Sequence, residues 1–170
     1  DETVLKNISI ENAEIYAGYG TDANASPDIY GAGVLVGELT TMGGSGATFI
    51  GVENCHGTGQ VDSKMYAGGL IGSASRAHVS NCSADVTVTG KSTSGGFIGN
   101  MFLGHYKNCT AKGNVTGEWS TGGFAGCIFE IDDSAEVEFC ASYGDVAACD
   151  WNTGGFVGYL EKGKIGRAHV

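Results

Sequence analysis

Gly95-Gly96-Phe97-Ile98-Gly99 is a phrase that the chain repeats. It returns as GGLIG at Gly68 to Gly72, as GGFAG at Gly122 to Gly126 and as GGFVG at Gly154 to Gly158, with a worn copy, GVLVG, at Gly33 to Gly37. The first glycines stand at Gly33, Gly68, Gly95, Gly122 and Gly154. Their spacing is identical across the middle copies and longer at both ends, which gives a basic unit of about 27 residues with insertions in two units. A period of this size marks a repeat architecture, in which each unit buries its apolar face only against its neighbours.

Working outward from the glycines, each unit holds a second landmark of the form apolar-x-Asn-Cys. Its copies are Val52-Glu53-Asn54-Cys55, Val79-Ser80-Asn81-Cys82 and Tyr106-Lys107-Asn108-Cys109, and a fourth, Val137-Glu138-Phe139-Cys140, keeps the cysteine but not the Asn. The interval from Cys to the next glycine pair is the same for Cys55 to Gly68, Cys82 to Gly95 and Cys109 to Gly122, and a single position longer for Cys140 to Gly154. This half of the unit is rigidly metered. The other half is not: the interval is short from Gly72 to Cys82 and from Gly99 to Cys109, longer from Gly126 to Cys140 and longest from Gly37 to Cys55. Loops of differing length therefore leave at one corner. Leu5-Lys6-Asn7-Ile8 reads as the same phrase with Ile for Cys, and Gly18 to Asp28 reads as an inserted loop.

After the Cys the residues alternate as in a strand. Cys82, Ala84, Val86 and Val88 share one parity, and Ser83, Asp85, Thr87 and Thr89 the other. The parity shifts before the Cys, and a bend at Asn54, Asn81 and Asn108 absorbs the shift, because Asn tolerates the left-handed conformation that such a corner requires. Short strands and sharp corners recurring at this period predict an all-β, right-handed parallel β-helix of about five coils, stacked about 4.8 Å apart. The units run approximately 1–37, 38–72, 73–99, 100–126 and 127–158, with 159–170 starting another. Stacking sets Asp85 beside Lys112 and Lys91 beside Glu118. It leaves open which of the two adjacent apolar residues in each glycine phrase faces the core.

The four glycine phrases with their Asn-Cys segments resemble the GLUG repeat family over residues 33 to 165. That resemblance implies a right-handed β-helix segment of a large secreted or surface-attached bacterial protein, a class that includes adhesin-like proteins and immunoglobulin A metallopeptidases. In those peptidases the zinc-binding motif lies elsewhere. No HExxH occurs here, so the resemblance assigns no catalytic residue to this chain.

Composition sets the remaining bounds. With 42% hydrophobic residues over 170 positions there is material for a core, and 30 glycines against one proline recur without a collagen period. A net charge of −10 argues against nucleic acid and anionic membranes, which need basic surfaces. No apolar run is long enough to span a bilayer as a helix, which takes about 18 residues or more. Ser75-Arg76-Ala77-His78-Val79 and the terminal Gly166-Arg167-Ala168-His169-Val170 share a phrase, which reads as a piece of a longer protein ending at the matching point of a further unit.

Each candidate site has a plain reading beside a functional one. Cys55, Cys82, Cys109 and Cys140 form one inward column and read as small buried hydrophobes. Cys127 and Cys149 lie off it, with a bridge between them as the alternative. His78 and His105 share a column, expected to include His169, and neutral imidazoles about 5 Å apart are a weak metal-site candidate against simple duplication of the repeat. Trp119 and Trp151 each stand three residues before a glycine pair, in the column that Met65 and Ser92 hold earlier. They are expected to cover the core at a turn. The alternative is a sugar-stacking platform with Glu118 and Asp150 accepting hydroxyl hydrogen bonds. Glu130, Asp132, Asp133, Glu136 and Glu138 are acids without a basic partner, which reads as a solvated face rather than a glycosidase or calcium site. The sequons at Asn81 and Asn108 are by-products of the repeat. The expectation is therefore a monomeric, non-enzymatic stalk or adhesion module, extracellular or cell-surface, with no cofactor, a host-surface glycan or protein as partner, and no nucleic acid.

Overall fold

A computed structural model describes residues 4–18, 31–41, 48–129 and 135–169. Among these residues all regular structure is β-strand, and the strands stack in parallel as three sheets of a β-solenoid. The first sheet follows Val4–Lys6, Ile50–Glu53, Ile71–Ser80, Ile98–Lys107, Ala125–Phe129 and Val157–Leu160, and takes in Val36–Leu39, Glu136–Glu138 and Lys164–Gly166. The second runs from Ser9–Ala17 through His56–Ser63 and Ser83–Gly90 to the paired segments Thr110–Ala111 with Val115–Gly117 and Ala141–Ser142 with Val146–Ala148. The third is built of two-residue strands, Ala67–Gly68, Ser94–Gly95, Thr121–Gly122 and Thr153–Gly154.

Register in the regular turns is the sequence period itself, with His78 opposite His105, Val88 opposite Val115 and Gly95 opposite Gly122. About four turns, opening at Ile50, Ala77, Gly104 and Glu136, are described on all three faces. The expected five coils are completed only by a first turn whose inserted loop, residues 19–30, lies outside the described residues.

The Asn corner has a plain geometric cause. Asn7, Asn54, Asn81 and Asn108 sit at φ of 58°, 52°, 54° and 54°, in the left-handed region. Their amides also join turn to turn, Asn54 Nδ2 donating to Asn7 Oδ1 and Asn108 Nδ2 to Asn81 Oδ1, both at 3.2 Å. Phe139 holds the same conformation without an amide, at φ 53°. That backbone costs a bulky residue roughly 1–2 kcal/mol, and Lys107 at 5.6 Å and Arg167 at 5.3 Å from the ring centroid offset part of it.

The glycine phrase makes a second corner, and both of its apolar residues face inward. Leu70, Ile71, Phe97, Ile98, Phe124 and Ala125 are all fully buried, because the chain turns between each pair and points the two side chains into the core from two walls. The Phe97 carbonyl accepts two N–H groups of the preceding turn, from Leu70 at 2.9 Å and Ile71 at 3.1 Å, and the Phe124 carbonyl does the same for Phe97 and Ile98. A Cβ on Gly95 would collide with the Ile98 carbonyl oxygen, and one on Gly96 with the Gly123 carbonyl oxygen of the next turn. No side chain fits where two backbones pass this closely.

Inside, equivalent residues stack. Phe97, Phe124 and Phe156 lie with successive ring centroids 4.9 Å apart and planes within 6°, which is the spacing of hydrogen-bonded strands. On the outside Lys91 reaches Glu118 at 3.7 Å, whereas Asp85 and Lys112, neighbours on paired rungs, form no ion pair within 4.0 Å. The end of the chain needs a correction. Ile165 pairs with Val137, Arg167 occupies the corner and His169 bridges to Ala141, so the terminal Arg-Ala-His phrase is not at the point of the turn where Arg76-Ala77-His78 stands.

The packing makes two changes in stability measurable. Tyr106 is wholly buried with no partner for its hydroxyl, in a column otherwise filled by Val52, Val79 and Val137. Tyr106→Phe is expected to raise unfolding stability by about 1–2 kcal/mol in urea denaturation, because an unpaired buried hydroxyl is removed without loss of the ring. Asn81→Ala is expected to lower it by about 1–2 kcal/mol, while Asn81→Gly, free to adopt the left-handed corner, lowers it by clearly less.

Candidate binding surface

Four short segments enter the third sheet, and their tips line one edge of the solenoid. In the earlier turns the tip residues are Met65 and Ser92, and in the later turns Trp119 and Trp151. The segments are held by the backbone: Asp150 N–H donates to the Glu118 carbonyl at 3.0 Å, and the Thr121 hydroxyl donates to the Trp119 carbonyl at 3.0 Å. Asn152, at φ 54°, takes up the extra residue of the last unit.

The indoles do not cover the core. Trp119 is 58% exposed and Trp151 73% exposed, with ring centroids 6.3 Å apart and planes within 19°. Cover at this corner is unnecessary, because Phe97, Phe124 and the small residues Ser94 and Thr121 already close the core beneath it. Two offset, near-parallel rings standing in solvent present apolar faces that water wets poorly. Glu118, paired with Lys91, and Asp150 flank them and supply acceptor oxygens. Such a surface can stack on a flat apolar face and hold hydroxyl groups at its rim.

The remaining candidates fall to structural roles. His78 and His105 do share a column, with centroids 4.9 Å apart, but Phe49 stacks on His78 at 4.1 Å and Glu136 is the next residue in register. Lys164 follows Glu136 there, and His169 lies on the next face. Among the described residues no three His, Cys, Asp or Glu side chains gather as a metal site. Of the acidic cluster, Glu130, Asp132 and Asp133 lie outside the described residues. Glu138 does have a basic partner, Lys107 at 3.4 Å.

All six cysteines are free thiols. Cys55, Cys82, Cys109 and Cys140 are buried and lie within 3.1–3.3 Å of the carbonyl two residues earlier, so their S–H groups are satisfied by hydrogen bonds. Cys127 belongs to the first sheet and Cys149 follows the last strand of the second, and no bridge joins them. Burial pushes the Cys109 thiol well above the ordinary range, and burial with the nearby charge of Glu161 pushes Cys127 up to about 11.

A site that the sequence did not announce lies on the outer side of the first sheet. Tyr66, Ser92, Thr93, Asn100, Phe102 and Phe129 line a shallow pocket of about 290 Å³, open to solvent, with Cys127 in its wall. Its one legible signal is Asn100, an amide placed in a strand between Ser73 and Cys127 of the neighbouring turns, away from any turn or corner.

Comparison with known proteins agrees with this architecture. Residues 64–89 match the family model of the GLUG motif. Residues 64–89 carry the GLUG motif. The match spans the corner from Lys64, the first full glycine phrase and the Asn81-Cys82 strand, which are the two landmarks of every turn. The fold is similar to the crystal structure described as "a putative immunoglobulin A1 protease from Bacteroides ovatus", with a TM-score of 0.74 at 22% identity over 97% of this chain. The chain spans about half, 50%, of the length of that structure, and at this identity the likeness concerns the fold. A sequence search of curated proteins found no match.

Thiol chemistry checks the buried ladder. Treated with a maleimide at neutral pH, the native protein is expected to take one label, on exposed Cys149, and six labels only after denaturation, counted by intact mass.

Proposed function

We propose that this chain is a non-enzymatic repeat module of a secreted or cell-surface bacterial protein, serving as a rigid stalk that carries an adhesive surface. The observation that supports it most is the unbroken parallel ladder. Each turn packs only on its neighbours through similar corners, so the unit extends by about 4.8 Å per turn and can carry insertions without disturbing the core. The free cysteines fit an oxidising exterior because five of the six are buried. Lys6 with Glu53, Lys91 with Glu118 and Lys107 with Glu138 are engaged in turn-to-turn pairs, which leaves these groups poorly placed for acid–base catalysis.

A second reading is favoured by the structural likeness. The module then serves as an accessory region beside a metallopeptidase domain that these residues do not include. On that reading the chain alone leaves immunoglobulin A1 uncut.

The adhesive surface is assigned to Trp119 and Trp151, with Glu118 and Asp150 at the rim, and its ligand class to host-surface glycans. Glycan-array binding of the intact chain, followed by calorimetry on the best hit, checks this. Trp119→Ala with Trp151→Ala is expected to weaken binding by roughly tenfold or more while leaving the melting temperature within about 2 °C, since the rings are exposed. Unaltered affinity in that double variant removes the assignment.

A further inference from the structure

We infer that the pocket on the outer face of the first sheet is a recognition subsite for one neutral sugar ring, with Asn100 as the residue that reads its hydroxyls. This deepens the glycan-binding reading of the tryptophan surface and rests on it for the longer ligand.

Asn100 is 3% exposed, and its side-chain amide opens into the pocket without a hydrogen bond to another described residue. The amides at the corners behave differently, since Asn54 and Asn108 each donate to the Asn of the turn before. Among the described residues the Asn100 amide is not one of the fully buried polar groups without a partner, so solvent in the pocket satisfies it and a ligand would take that solvent's place. The amide offers two N–H donors and an acceptor oxygen, a set that matches neighbouring hydroxyls on a ring. The Thr93 hydroxyl oxygen in the same wall is buried without a partner.

The rest of the lining suits the other half of a sugar. Tyr66, Phe102 and Phe129 provide aromatic surface, the last two in an edge-to-face pair with centroids 5.5 Å apart. Aromatic faces accept the C–H side of a pyranose while polar groups take its rim. At about 290 Å³ the space is near the small end of ligand pockets, which begin at roughly 300 Å³, so it fits one ring. None of the lining side chains is charged, and the Glu161 carboxylate acts on Cys127 in the wall, so the local field is negative and an anionic sugar is disfavoured.

Ser92 ties the pocket to the tryptophans. It lines the pocket and precedes Trp119 by one turn at the same corner, as the Lys91 to Glu118 ion pair of the preceding residues shows. A neutral oligosaccharide seated in the pocket and running along the solenoid axis would meet Trp119 and then Trp151.

The test is a titration of the full chain with the methyl glycosides of glucose, galactose, mannose and N-acetylglucosamine, followed by amide NMR. Calorimetry with neutral oligosaccharides of two to four units accompanies it. One glycoside is expected to give saturable shifts that include the Asn100 side-chain amide. Asn100→Leu is expected to weaken its binding roughly tenfold or more and to leave the melting temperature within about 2 °C, because the amide is solvated in the unliganded chain. Phe102→Ala weakens binding as well. If Asn100→Leu does not fold, Asn100→Ser, the residue that Ser73 supplies one turn earlier, takes its place with the same expected loss. The Trp119→Ala, Trp151→Ala double variant is expected to keep glycoside affinity and lose affinity for the oligosaccharides.

The inference is overturned if no glycoside gives saturable shifts, or if Asn100→Leu or Asn100→Ser binds as the native chain does. Oligosaccharide binding that depends on the tryptophans with no glycoside binding leaves the tryptophan surface standing and removes the pocket. Glycoside binding lost in Asn100→Leu with no effect of the tryptophans does the reverse.

Discussion

Two backbones passing without a side chain between them are what the rest of this molecule depends on. At each glycine phrase one carbonyl, that of Phe97 or Phe124, accepts two N–H groups from the preceding turn, and the chain can bend there only because Gly95 and Gly96 carry no Cβ. The bend sends two consecutive apolar residues into the core from different walls, which an extended strand cannot do. The three-sided cross-section, the stacked phenyl rings and the flat outer sheets all descend from that contact.

The Asn corner complements it. Where the glycines allow close approach, Asn54, Asn81 and Asn108 supply a left-handed residue together with an amide placed to reach a neighbouring turn. Between the two corners the chain is metered, because the strand with Cys82, Ala84, Val86 and Val88 must align residue for residue with its neighbours to keep its apolar side inward. Beyond the glycine phrase the strand also pairs in register, as Ile98–Lys107 does with Ile71–Ser80, but insertions are accommodated midway along it, after Leu39 and after Phe129. Burial follows the same logic. Cysteine fits one narrow column because its thiol is small, apolar and satisfied by a carbonyl of its own chain.

On the proposed reading, binding in such a scaffold is carried by departures from the repeat. At the corner where Met65 and Ser92 stand in earlier turns, the later turns have Trp119 and Trp151. Between the smaller Ser73 and Cys127 of its neighbouring turns, Asn100 brings an amide. Each departure adds an interaction that the fold does not need. An exposed indole pair contributes little to the core, and an amide that opens on a pocket makes no hydrogen bond within the fold, so neither is accounted for by packing.

The sequence by itself determined the parallel β-solenoid, its period, the Asn corner and the inward column of cysteines. These are legible because a repeat states the same local constraint several times, and strand parity decides which side is buried. Tertiary structure alone decided that both apolar residues of each glycine phrase point inward. It showed Trp119 and Trp151 in solvent rather than over the core, Glu138 paired with Lys107, His169 past the corner, and Asn100 facing a pocket. The physical reason is common to the first four. Parity holds only along an extended strand, and all of these but Asn100 lie at or near a corner, where backbone direction is set by the turn stacked against it; Asn100 lies in a strand, and its pocket is completed by Tyr66, Ser92 and Thr93 from other segments.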